Sequence, residues 1–153
     1  MVVQVQAISK TETASIAIRF QERAAELRRR VGERIADEIV DLSPVDTGTY
    51  VMAHVAGSGA MPEIASRSSA NKPGGQNETQ FKNLARGNLK RSVSSAAVQA
   101  GGEIWFRNRA LHAPEVEYIG WKSRSADHVY RLAAARTPEF IRAVAQEMGF
   151  TSR

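Results

Sequence analysis

The chain has 153 residues, 42% hydrophobic and 24% charged, which is the size and composition of one globular domain. It has no cysteine, which excludes disulfide frameworks, thiolate metal sites and cysteine nucleophiles. A formal net charge of +5 permits contact with nucleic acid or an acidic protein surface and requires neither.

No run of about 18 apolar residues is present, so no membrane-spanning helix is expected. The opening "MVVQVQAISK" lacks the basic-then-apolar order of a signal peptide, so none is expected there. Residues 2 to 8 alternate weakly and read as a short strand. Ser9 and Glu12 then have the spacing of a capping box. From there Ile16, Phe20, Ala24, Leu27, Val31, Ile35, Ile39 and Leu42 recur in steps of three and four, the signature of one apolar helical stripe. Glu22, Arg23, Glu26, Arg29, Arg30, Glu33 and Asp37 occupy the other face, and Arg30, Arg34 and Glu38 follow at i, i+4 spacing. Such a helix is about 45 Å long. A domain of this size has a radius of gyration of about 15 Å. The helix is therefore expected to overhang its own core and to need a neighbouring subunit over its apolar stripe. The alternative is a break near Gly32, because glycine is a poor helix former.

Pro44 ends this helix. Asp46 and Gly48 suit a tight corner, through an Asx turn and a positive φ. Residues 49 to 56 then read as a strand. Residues 57 to 78 are rich in Gly, Ser, Ala, Asn and Pro and read as an extended flexible loop or arm. The segments on either side are too short to fold alone, so residues 1–153 form one domain. Residues 79 to 98 read as a helix with Phe81, Leu84, Ala85, Leu89 and Val93 on its apolar side. Gly101 and Gly102 mark a turn. Residues 103 to 108 read as a strand whose hairpin partner is 112 to 121, with Pro114 at its start and Trp105, Phe106, Tyr118 and Trp121 packing across the pair. Residues 125 to 136 fit helix or strand. Thr137 and Pro138 have the form of a helix start. Phe140, Ile141, Val144, Ala145 and Met148 give that helix an apolar face, and Gly149 caps it. The expected fold is α+β: a long N-terminal helix and a C-terminal helix packed on a small, mainly antiparallel sheet, with a long polar loop.

Three constellations carry conceivable chemistry. His112, Glu115 and Glu117 could hold a metal or do acid–base work, although no second cluster supplies ligand spacing. Lys82, Arg86 and Lys90 stand four apart with Arg91 beside them, a basic helical stripe that could lie along phosphates or face a partner. "KPGGQNE" at 72 to 78 is glycine-rich but lacks the Lys-Ser/Thr ending of a phosphate loop. There is no G-x-S-x-G elbow and no dinucleotide fingerprint.

The order of segments resembles the neck and tail-completion proteins of long-tailed bacteriophages, a family of small tail components. In that family a helix ends in a Pro-Val-Asp-Thr-Gly motif, matched here by Pro44, Val45, Asp46, Thr47 and Gly48. Further on, a strand carries an Asn and is followed by a Tyr/His-Ala segment ending in Glu-x-Gly, matched here by Asn108, His112, Ala113, Glu117 and Gly120. The resemblance spans about residues 10 to 149. His112-Ala113 and an inserted Pro114 depart from the usual Tyr-Ala, and the loop at 57 to 78 is longer than the family needs. What the resemblance implies is a structural virion protein of the head–tail connector, with no catalysis and no cofactor. It would form an oligomeric ring with copies of itself and contact adjacent head-closure, tail-terminator or tail-tube proteins. Genomic DNA would touch it only in passing, and no membrane is involved. On this reading the subunit is assembled in the host cytoplasm, and Asp46-Thr47-Gly48 is a scaffold corner. The alternatives are a small basic nucleic-acid-binding protein and a metal-dependent hydrolase built on His112, Glu115 and Glu117.

Overall fold

A computed structural model describes residues 10–45, 48–61, 77–98, 103–120 and 125–150. The apolar stripe read from the sequence becomes one helix, α1 (Lys10–Leu42), which runs without interruption through Gly32. Glycine at this position has a packing reason. A Cβ there would lie 2.7 Å from Val93 Cγ1, so its absence lets α1 and the helix carrying Val93 approach closely. The solvated side of α1 is laced by ion pairs of Arg29 with Glu26 and Glu33, and of Arg30 with Glu26. The two guanidiniums bonded to Glu26 hold its carboxyl at about 2, well below the usual range.

After α1 come α2 (Thr49–Met52), β1 (His54–Ser58), α3 (Glu78–Ala97), β2 (Ile104–Asn108), a π-helical turn (Glu115–Ile119) and α4 (Val129–Glu147). The architecture is α+β, with long helices on a two-stranded antiparallel sheet. Both long partners run antiparallel to α1. On one side Arg86 and Lys90 of α3 meet Asp37 while Val93 meets Gly32. On the other, Arg136 of α4 pairs with Glu38 and Glu147 with Arg34. Arg23 reaches the end of α4, donating to Met148 O at 2.6 Å with its guanidinium over the Phe150 ring. A cation there complements the helix's negative pole.

The main core joins Ala36, Ile39 and Val40 of α1 to Leu89 and Val93 of α3, with Val51, Val116 and Val129 closing it. A smaller cluster joins Val31 to Phe140 and Val144 of α4. Each fully buried Leu, Ile or Val contributes about 1.5–3 kcal/mol. Upstream of Arg23 α1 has no such packing. Ile16, Ile18 and Phe20 are exposed, Phe20 at 69%. The expected overhang is present and amounts to about 20 Å of helix.

Several sequence expectations are corrected. Residues 49–56 are not one strand: Gly48 (φ 78°) starts a single helical turn, closed by Met52 N–H to Gly48 O, before β1 begins. Both Tyr50 and Val51 are buried, which a strand of alternating faces would not allow. The partner of β2 is β1, with His54 opposite Asn108 and Ser58 opposite Ile104. The expected hairpin strand, 112 to 121, turns helical from Ala113, and a 2.7 Å bond from Gly120 N–H to Glu115 O closes a wide π turn. The aromatic packing across that hairpin is accordingly absent: Tyr118 is exposed on the π turn, and Trp121 lies outside the described residues.

Thr137 and Pro138 sit inside α4, not at its start. The helix continues because Val129, Ala133, Phe140 and Val144 form one buried stripe across the proline. Thr137 Oγ1 donates to Ala133 O beside the missing amide. The cap at Gly149 is as expected, with φ 69° and the paired bonds Gly149 N–H to Gln146 O and Phe150 N–H to Ala145 O. Of the loop read at 57 to 78, Gly57 and Ser58 belong to β1, and Asn77 caps α3 through a capping box with Gln80. Residues 62–76 lie outside the described residues, as do the strand read at 2–8, the cap of α1 read at Ser9, and the turn at Gly101-Gly102.

Candidate functional site

The corner at the end of α1 gathers the polar side chains the fold buries. Ser43, the first residue after α1, donates its hydroxyl to Ile39 O at 2.6 Å and lies 2.7 Å from His54 Nε2. Because that hydroxyl proton is already used, Ser43 Oγ accepts from His54 Nε2–H. This tautomer leaves His54 Nδ1 as an acceptor. It takes a bond from the Tyr130 hydroxyl at 2.7 Å, while the Asn108 amide nitrogen lies against the ring face, 3.1 Å from Nδ1 and 3.4 Å from Nε2. The Asn108 amide also donates to Tyr50 O at 2.8 Å, and its carbonyl accepts from Ala110 N–H at 2.8 Å. Tyr50 sends its phenolic proton to Glu117 Oε1, and Glu117 Oε2 accepts from Tyr130 N–H at 3.3 Å. The chain of bonds touches α1's end, α2, β1, β2, the π turn and α4.

Ser43, His54, Asn108 and Glu117 are the buried polar residues among those described. Burial pushes the His54 imidazole down to about 3, so it is neutral near pH 7. Burial, reinforced by the bond to Glu117, pushes the Tyr50 phenol far above its ordinary value, and burial does the same to Tyr130. The edge of the Tyr50 ring meets the His54 ring, 5.1 Å between centroids. Every group is hydrogen-bonded; Tyr50, His54, Asn108 and Glu117 are buried and Tyr130 is half-buried. Such an arrangement specifies one packing of the corner.

The two segments that carry the phage resemblance meet here. Pro44 follows the buried Ser43, and Gly48 takes the positive φ that the corner needs. A Cβ at Gly48 would lie 2.5 Å from the buried Phe81 ring. Asn108 and Glu117 are in the network itself, and Gly120 closes the π turn. Asp46 and Thr47 lie outside the described residues. Sequence reading missed Ser43, Tyr50, His54 and Tyr130. The available signal was a lone histidine in the apolar run "TYVMAHVA".

His112, Glu115 and Glu117 do not form a metal site. The helical turn rotates them apart. Glu117 is bonded inside the core, His112 is half-buried with its ring 6.2 Å from that of Tyr50, and Glu115 has one carboxyl oxygen buried without a partner. Among the described residues no three His, Cys, Asp or Glu side chains converge to hold a metal ion. A largely apolar cleft of about 360 Å³ opens beside Glu117 between Phe106, Ala113, Tyr118 and Tyr130. Each oxygen of the Glu117 carboxyl already accepts one hydrogen bond.

The basic stripe faces inward along α1. Lys82 pairs with Glu78 and donates to Asp41 O at 3.1 Å. Arg86 pairs with Asp37 and Asp41, Lys90 pairs with Asp37, and Arg91 bonds Asn88. Arg86 and Lys90 thus meet acids of α1, because α3 lies against its acidic side, and Lys82 meets an acid one turn back on α3 itself.

Among the described residues no helix is long and apolar enough to cross a membrane. The chain matches no family model, no curated protein and no solved structure.

Proposed function

We propose that this chain is a structural subunit of a tailed-phage virion, acting in a ring at the neck or in tail completion. The observation that carries the assembly half of this reading is the uncovered apolar face of α1, where Ile16 and Phe20 stand in solvent one turn apart on a helix that outruns its core. A contiguous exposed apolar patch marks an interaction surface. The phage half rests on the resemblance, whose separated segments supply Gly48, Asn108, Glu117 and Gly120 to one corner. A resemblance made of scaffold residues suits a protein whose task is to hold a shape.

The rivals draw less support. A nucleic-acid binder needs cations free to meet phosphates, yet Arg86 and Lys90 are occupied by Asp37 and Asp41. A hydrolase needs an accessible acid or ligand set, yet Glu117 is 5% exposed with both oxygens bonded.

The test is native mass spectrometry and negative-stain imaging of the purified chain, followed by sedimentation with phage heads and tails. Rings, or stable attachment at the head–tail junction, are the expected result. A chain that remains monomeric at high concentration and never sediments with particles overturns the reading.

A further inference from the structure

The exposed end of α1 has a complement elsewhere on the same subunit. Downstream on that helix, Leu27, Val31 and Ile35 form one wall of an apolar groove of about 400 Å³, with Ile104 and Phe106 of β2 and Ile141 of α4 as the other walls. The groove continues the stripe that carries Ile16 and Phe20. The two cannot cover each other within one molecule. Because α1 is a single uninterrupted rod, Phe20 stays about 15 Å along the axis from Val31.

The charges at the two surfaces are complementary. The exposed end carries Arg19 beside Phe20, while Glu22 stands on the opposite face of the helix. The groove is bordered by Arg28 and Glu103. Arg19, Arg28 and Glu103 have no ion pair among the described residues. Arg28 Nε is moreover buried without a hydrogen-bond partner inside the subunit, an arrangement that costs free energy until an acceptor arrives.

We propose that the N-terminal end of α1 from one copy lies in the α1–β2–α4 groove of the next copy. Ile16 and Phe20 enter as i, i+4 anchors and Arg19 meets Glu103. The contact is heterologous, since two different surfaces meet. Each copy therefore keeps one free end and one free groove, and repetition closes a ring if the rotation allows. The inference rests on the assembly half of the function proposed above and does not need the virion half.

The experiment uses the full chain, with sedimentation velocity as the readout. Phe20→Asp disables the helix end and Ile141→Asp disables the groove. Both positions are exposed, so circular dichroism should report an unchanged fold. Each variant alone is expected to be monomeric, while a mixture of the two should give one-to-one heterodimers and nothing larger, because a single intact end–groove pair remains. Arg19→Glu should weaken self-association by about tenfold, and adding Glu103→Arg should restore it.

A groove variant that self-associates like wild type would overturn the proposal in favour of helix ends pairing with each other. A wild-type chain that is monomeric throughout would overturn it as well, as would a charge swap that fails to rescue. Self-association through this pair, in a protein that ignores phage particles, would sustain this inference and sink the virion reading. Attachment to particles by a groove variant that remains on its own monomeric would sustain the virion reading and sink the end–groove contact.

Discussion

Tyr50 and Glu117 stand 67 residues apart in the chain and share one hydrogen bond in the core, phenol to carboxyl. That bond joins the corner after α1 to the π turn before α4. Tyr50→Phe removes the donor and leaves Glu117 buried, with only the 3.3 Å bond from Tyr130 N–H. The expected cost is about 1–3 kcal/mol, measured by urea denaturation. A double-mutant cycle with Glu117→Gln should show coupling above about 0.5 kcal/mol, since the two residues are in contact. Additive effects would mean that the bond does not hold the corner.

His54 sets an acid limit on stability. Its folded value lies near 3 and its unfolded value near 6.5, because burial disfavours the imidazolium. A depressed folded value gives stability that is complete above the unfolded value and is lost as pH falls from about 6.5 toward 3. At about pH 4.5 the loss should reach about 3 kcal/mol. His54→Gln should be less stable than wild type at neutral pH but should lose less on acidification through this window. An equal acid slope in both proteins would show that other groups govern acid unfolding.

Two glycines with similar backbone angles should respond differently to a methyl group. Gly48 has φ 78° and Gly59 has φ 73°. A Cβ at Gly59 meets no atom within 4 Å, whereas one at Gly48 lies 2.5 Å from the Phe81 ring. Gly59→Ala should cost only the left-handed strain, roughly 1 kcal/mol. Gly48→Ala must also displace a buried aromatic ring, and its cost should exceed that of Gly59→Ala by about 1 kcal/mol or more. Thermal or urea unfolding of the two variants decides it, and equal costs would mean that Phe81 moves aside freely.

The parts of this fold that were readable in the sequence have local causes. The stripe from Ile16 to Leu42 predicts α1 and its overhang because a helix declares its period in its own residues. The same holds for α3 and for the cap at Gly149. The sheet pairing was misread because nearness in sequence favours a hairpin with residues 112–121, whereas β1 arrives from the far side of α3. Pro138 concealed the first half of α4, whose continuity depends on burying Val129 and Ala133 in a core the sequence does not display. Asn108, Glu117 and Gly120 were singled out by resemblance, and Gly48 also by its corner. Their shared role depends on His54, Tyr50 and Tyr130, which come together through contacts of long sequence separation. The basic stripe was legible as a stripe, but its target was not, since the docking of α3 on α1 decides which way it faces.

That docking separates the assembly reading from the nucleic-acid rival. In the isolated subunit Lys82, Arg86 and Lys90 are spent on Glu78, Asp37 and Asp41, with side chains 20%, 29% and 35% exposed. Partly exposed pairs of this kind contribute about 0.2–1 kcal/mol each. Changing Lys82, Arg86, Lys90 and Arg91 together to Gln should therefore lower the unfolding midpoint. The wild-type midpoint should fall more with added salt than the variant's, because screening acts within about 8 Å at physiological ionic strength. Duplex DNA binding should be weak in both proteins and should fade near physiological salt. If the stripe instead neutralised four phosphates, the log–log salt slope of binding would be about −3.6 and would collapse in the variant. Tight wild-type binding at physiological salt, lost in the variant without a change in unfolding midpoint, would overturn the ion-pair assignment and move the function to nucleic-acid binding.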